Sequence, residues 1–218
     1  MSEEKKVTLL GRRAGELLAG LSSIVDDLWG ETPDSPAPKP RPAAPQPEFP
    51  PFTQLWKVAD ETVDWTDALG RATPADGLTD PAHWAVYHRY AQRILDGDTD
   101  AYLAVIEAMQ PLGDLSAYAV SFDVAAPSSE TLAAACQALP GYLDKPADEA
   151  RRYLAGMAVR IARDLFALLP VTRVEVAILR GEKMLMTVPF EKAEMMKVRF
   201  AFIDPVAYAT SCGAVFTD

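Results

Sequence analysis

Apolar side chains recur at three- and four-residue spacing near the start of the chain. Leu10, Ala14, Leu17, Leu18, Leu21, Ile24, Val25 and Leu28 fall on one side of a helix predicted over residues 7–29. Arg12, Arg13, Glu16, Ser22, Ser23, Asp26 and Asp27 fill the other side. Gly11, Gly15 and Gly20 each cost about 1 kcal/mol relative to alanine, so this helix is marginal alone in water and needs a surface to lie against. Residues 31–51 then hold nine of the eighteen prolines. Proline has no N–H and fixes φ, so this stretch is an extended spacer rising roughly 3.1 Å per residue.

From Phe52 the pattern reads as helical again, with Phe52, Leu55, Trp56, Ala59 and Val63 on one face. Asp80-Pro81 opens a helix that runs to Leu95, with Trp84, Tyr87, His88, Ala91, Ile94 and Leu95 inward. Asp96-Gly97-Asp98-Thr99 stops it and caps the next helix, Ala101 to Met109, which gives an αα-hairpin. At Ser116 the period drops to two, and Tyr118, Val120, Phe122 and Val124 mark a strand. Helices are predicted over 128–143 and 147–169, the second with Leu154, Met157, Ala158, Ile161, Leu165 and Leu168 on one stripe. Val174 to Ile178 and Met184 to Phe190 make a hairpin around Arg180-Gly181-Glu182. Asp204-Pro205 starts a short helix through Ser211, and Ala214 to Phe216 is a last extended piece.

These elements predict an α+β fold: an N-terminal amphipathic helix (1–30), a Pro-rich linker (31–51) and a globular body (52–218). The body divides into a helical acidic part (52–116) and a part (117–218) with a small, mainly antiparallel sheet carrying helices on one face.

The net charge of −10 sharpens that division. Residues 51–116 carry four basic and eleven acidic side chains, so the middle holds most of the imbalance. An acidic surface repels phosphate, which argues against nucleic acid as a partner and permits a nucleic-acid mimic. No apolar run approaches the roughly 20 residues that span a bilayer. The N-terminal stretch, broken by Arg12, Arg13 and Glu16, does not read as a signal peptide. The expected setting is cytoplasmic, with Cys136 and Cys212 as reduced thiols.

Candidate chemistry is sparse, and the sequence points to no catalytic residue, metal ligand or cofactor. The two histidines, His83 and His88, are five apart and so do not share a helical face. His88 lies on the apolar stripe and is expected in the core with a backbone or tyrosine partner. Asp96, Asp98 and Asp100 lack the glycine at the sixth position that a calcium loop requires, and turn and cap duty explains them. Arg151, Arg152, Arg160 and Arg163 share one helix, where Asp148–Arg152 and Arg160–Asp164 are i,i+4 pairs. Met184, Met186, Met195 and Met196 crowd one stretch of the C-terminal half, and at alternating strand spacing Met184 and Met186 are expected in the core.

The predicted N-terminal helix is therefore the main functional candidate. A half-proline spacer of twenty-one residues is a poor way to hold a helix on its own body, which favours docking into a groove of a partner protein. The binding residues are Leu10, Leu17, Leu21, Ile24 and Leu28. Two arginines against three acids give no cationic face for lipid, so no membrane partner is expected. The combination of amphipathic helix and Pro/Ala-rich spacer resembles the targeting extensions that load cargo into bacterial protein compartments. The expected function is a non-enzymatic interaction or adaptor protein. The alternatives are an acidic nucleic-acid mimic and an enzyme assembled from dispersed carboxylates and arginines, whose mark is a carboxyl facing an arginine with a shifted pKa.

Overall fold

The computed structural model describes residues 6–10, 51–75 and 79–217. Six strands form one mixed sheet in the order β1-β2-β3-β4-β5-β6: Lys6–Leu10, Ala119–Ala125, Thr131–Ala138, Arg173–Arg180, Lys183–Glu191 and Val215–Phe216. Among the described residues only the β3–β4 pairing is parallel. A parallel pair needs a crossover, and the chain supplies it as α4 (Pro140–Leu143) and the long α5 (Ala147–Leu168). Before the sheet come α1 (Trp65–Gly70), α2 (Pro81–Leu95) and α3 (Thr99–Met109), and after β5 come α6 (Lys192–Met195) and α7 (Pro205–Ser211). The described residues are thus α+β, as the periodicities predict. Buried side chains from 52–116 and from 117–217 join one apolar cluster.

Fifteen of the twenty-two residues of α5 are buried, because it lies between the sheet and the segment leading to α1. Its stripe meets the inward row of the sheet: Leu132, Cys136, Val174, Val176, Ile178, Val188 and Phe190, all 2% exposed or less. Caps act where the sequence places them. Asp80 accepts from Ala82 N–H, and Asp98 accepts from the Asp100 and Ala101 N–H groups. Gly181, at φ +61°, makes the β4–β5 turn in a conformation that other residues resist.

Four expectations are corrected. The helix predicted from Val7 does not begin there: residues 6–10 pair antiparallel with β2 as an edge strand, Leu10 opposite Ser121. The remainder of that predicted helix, and most of the Pro-rich spacer, lie outside the described residues. Thr131–Ala138 is a strand and not the start of a helix. Alanine reads as apolar under either period, and here Leu132, Ala134, Cys136 and Ala138 face inward while both neighbours bond the backbone. Residues 52–63 contain only a single 3-10 turn, Leu55–Lys57. Their polar backbone is satisfied by α5 instead: Val63 N–H donates to Ala167 O (2.9 Å), and Arg163 donates to Trp56 O (2.7 Å) and Val58 O (3.0 Å). Leu95, expected inward, is 43% exposed at the end of α2.

The chain re-enters at Pro51, and Phe52 wedges edge-on between Tyr142 and Tyr153, at 5.8 and 6.0 Å between ring centres. Gly156 on α5 is where the Trp56 ring comes closest. A Cβ there would stand 2.9 Å from Trp56 Cε3. Alanine gains about 1 kcal/mol of helix propensity, but the buried ring cannot retreat and overpacking costs about 1–3 kcal/mol. Gly156→Ala is expected to lower unfolding stability by up to about 2 kcal/mol in urea titration, and Gly156→Val by more; a more stable Gly156→Ala would show that Trp56 can move.

Candidate functional site

Helix α5 turns three charged side chains toward the 52–64 segment, and these organise the chemistry of the molecule. Arg160 and Asp164 are 4% and 0% exposed. Arg160 Nε donates to Asp164 Oδ2 at 2.6 Å, and its Nη2 reaches Asp114 Oδ2 at 2.7 Å, with Asp60 Oδ1 at 3.8 Å. Asp60 N–H in turn donates to Asp164 Oδ1 (3.1 Å). One arginine thus faces three carboxylates. Burial pushes the Asp164 carboxyl up to about 7, while Arg160 and the Asp60 N–H pull it down. Asp60 is also raised, chiefly by burial. The i,i+4 pairing expected for Arg160 and Asp164 is present; Arg152 instead meets Asp204 at 3.4 Å, and Arg151 lies over the Phe216 ring. The four arginines therefore do not converge on one anion site.

Asp60 separates two cavities. The larger, about 550 Å³, is bordered by Glu61, Asp64, Asp67, Asp80, His83, Trp84 and Tyr87. Much of its acidity is structural. Asp64 and Asp80 cap α1 and α2, and Asp67 pairs with Arg71 at 2.6 Å. His83 is exposed at its rim. His88 is exposed rather than in the core, although its Nδ1 does meet the Ala68 carbonyl at 2.7 Å.

The smaller cavity, about 290 Å³, opens at the corner where the end of α5 meets residues 192–200, with walls from Phe166, Met195, Val198 and Phe200. It carries two cations whose hydrogen bonds go to backbone carbonyls. Lys192 Nζ donates to Phe166 O (2.8 Å) and Leu169 O (3.3 Å), at the negative end of α5. Desolvation lowers its pKa. Arg163 lies 4.1 Å above the Phe200 ring while holding the Trp56 and Val58 carbonyls. Met196, in the lining of this cavity, is 73% exposed, and Phe202, two residues beyond the lining residue Phe200, is 85% exposed; they are the two most exposed large apolar side chains among the described residues.

The outer sheet face is a shallow trough floored by Ala133, Ala135 and Ala177. Its polar groups pair with one another: Thr8 and Lys6 with Asp123, and Arg173 with Glu175 and Glu191. It reads as a solvated sheet face floored by the parallel β3–β4 pair.

Of the binding residues predicted from sequence, Leu10 sits in β1, and Leu17, Leu21, Ile24 and Leu28 lie outside the described residues. Asp96 bonds Gln92, and Asp98 pairs with Arg93 while capping α3, as their turn and cap duty requires. Cys136 is fully buried, and burial pushes its thiol pKa up, which removes it as a nucleophile. Met184 and Met186, expected in the core, divide: Met186 is buried and Met184 is 37% exposed. The basic corner escaped the sequence reading, although the adjacent Met195 and Met196 were its visible signal. No helix among the described residues is long and apolar enough to cross a membrane. Comparison with protein-family models, with curated proteins and with solved structures gave no match to this chain.

The buried cluster yields two predictions. Arg160→Met strands Asp164 and should cost about 3–5 kcal/mol in denaturant unfolding, whereas Arg160→Met/Asp164→Leu should recover most of it. The Asp164 carboxyl titrates near 7 in the folded chain and near 3.9 when unfolded. Between those values the folded state holds more protons, so this contribution to stability is present at low pH and is lost as pH rises toward 7. Asp164→Asn should flatten that part of the profile of urea midpoint against pH; an unchanged slope would assign it to other groups.

Proposed function

We propose that this chain is a non-enzymatic interaction protein of the adaptor kind, with two binding surfaces. The observation that carries the reading is the corner at residues 192–202, where Met196 and Phe202 stand exposed beside an apolar cavity bearing Arg163 and Lys192. Large apolar side chains held out in water beside a desolvated pocket are the composition of a binding hot spot and its rim. The second surface is the remainder of the predicted N-terminal helix, with Leu17, Leu21, Ile24 and Leu28 docking on a partner protein, while Leu10 belongs to β1. The placement of its flanks supports a presented segment. Leu10 is opposite Ser121, and the Pro51 carbonyl lies 3.5 Å from the Tyr118 hydroxyl, so both flanks meet the start of β2.

One observation favours a second reading, an enzyme: the Arg160 cluster sets a carboxyl with a strongly raised pKa against an arginine, beside the cavity that Asp60 borders. Against it, Arg160 and Asp164 are each occupied by the other and by the 52–64 segment. That is the bonding of a structural tie.

Peptide display against the full-length chain tests the first reading. Enriched peptides should bind Met196→Asp and Phe202→Ser at least tenfold more weakly, with the melting temperature of both variants within about 2 °C of the parent, as expected for exposed positions. Peptides indifferent to both substitutions, or a failure to enrich any, would overturn the corner as a binding surface. A hydrolytic or transfer activity lost in Asp60→Asn would instead establish the enzyme.

A further inference from the structure

Taking the corner as a binding surface, as just proposed, its chemistry narrows the partner. The chain carries a net charge of −10, yet residues 192–199 hold Lys192, Lys197 and Arg199 against Glu194 alone. Arg163 adds a fourth cation from α5. Glu194 is engaged by Lys197 at 2.6 Å, on a solvent-exposed rim where such a pair contributes little. The corner is therefore a basic island on an acidic molecule, and it favours a negatively charged visitor over most of the chain's other surface.

Size and lining narrow it further. A cavity of about 290 Å³ lies at the small end of the roughly 300–1,000 Å³ that enclose a free small molecule, so it suits a single anchoring side chain. Its walls, Phe166, Met195, Val198 and Phe200, are apolar, and methionine adapts to the shape of what enters. Arg163 spends one Nη on two carbonyls, and Lys192 spends two of its three protons, so both retain donors for a carboxylate. Asp60, also in the lining, repels an anion on its side of the cavity. Two carboxylates in the immediate setting, Asp60 and Glu194, are wrong for the continuous phosphates of nucleic acid.

We propose that this corner docks an acidic, apolar segment of a partner protein. One large side chain of the segment enters between Phe166 and Phe200, and a neighbouring Asp or Glu carboxylate lies against Arg163 and Lys192. Met196 and Phe202 close over the anchor and exclude water from the charge contact, which strengthens it.

The test is fluorescence polarisation on the full-length chain with three labelled peptides of about twelve residues, built around Leu-Asp-Asp-Phe, Leu-Asn-Asn-Phe and Leu-Lys-Lys-Phe. The acidic peptide should bind with a Kd of about 10–100 µM, the neutral one about tenfold more weakly and the basic one not at all. Raising the salt should weaken the acidic peptide selectively. Met196→Asp, which adds a like charge at an exposed position, should weaken it at least tenfold with the melting temperature unchanged. If the neutral or basic peptide binds equally well and still depends on Met196, the acidic partner is overturned and the interaction reading stands. If no peptide binds, both fall. If dodecanoate binds in place of every peptide, the corner takes a small amphiphile and the proposal is overturned. The chain itself contains Ile24-Val25-Asp26-Asp27-Leu28-Trp29. If peptide binds only after Asp26→Asn/Asp27→Asn, that segment is the occupant, and the external partner is overturned.

Discussion

The ion pair between Arg160 and Asp164 is the tie on which the rest of the arrangement rests. Two charges withdrawn from water are costly, and the cost is offset only if every remaining donor and acceptor is met. Here the 52–64 segment and Asp114 supply partners. Asp60 supplies its N–H to Asp164, Asp60 and Asp114 close on the guanidinium, and one turn away Arg163 takes the Trp56 and Val58 carbonyls. Those carbonyls are available only because the segment is not a helix; an α-helix would spend them internally. The buried pair and the irregular segment are thus mutually required. Between them they fix Asp60 as the wall between two cavities and Arg163 as one side of the basic corner.

Legibility in the sequence follows the range of the interactions involved. Helices α2 and α3 are readable because Asp80, Pro81, Gly97 and Asp98 punctuate them locally, and the β4–β5 hairpin because alternating side chains flank a Gly turn. The Arg160–Asp164 pair is readable at one helical turn. Its other partners are 104 and 46 residues distant in sequence, where spacing carries no signal. β3 was hidden by its alanines, which suit a helix in isolation and a crowded central strand in context. The same dependence on context hid the corner. Phe166, Lys192 and Phe200 come together only once α5 has crossed back and β5 has delivered the chain to α6.

Strand β1 changes how the N-terminal region can act. A helix on a free tail would search a radius set by its spacer. With residues 6–10 in the sheet and Phe52 in the core, the stretch between them is anchored at both ends near the start of β2. Anchoring at two points shortens the reach and raises the local concentration of whatever the stretch presents. It also gives β1 an energetic role: a partner that pulls this stretch away from the sheet edge competes with the five-residue pairing to β2.

Whether the two proposed surfaces communicate depends on the nine residues from Phe52 to Asp60. Phe52 is held edge-on between two tyrosines, Leu55 and Trp56 are 5–6% exposed, and the carbonyls of Trp56 and Val58 are held by Arg163. A pull at Pro51 therefore meets a packed aromatic stop before it reaches the arginine that walls the corner. Coupling between distant sites requires an element with two alternative arrangements, and close packing of Trp56 against Gly156 leaves this stretch with one. The physical expectation is two surfaces that bind independently, which is what an adaptor joining two partners requires.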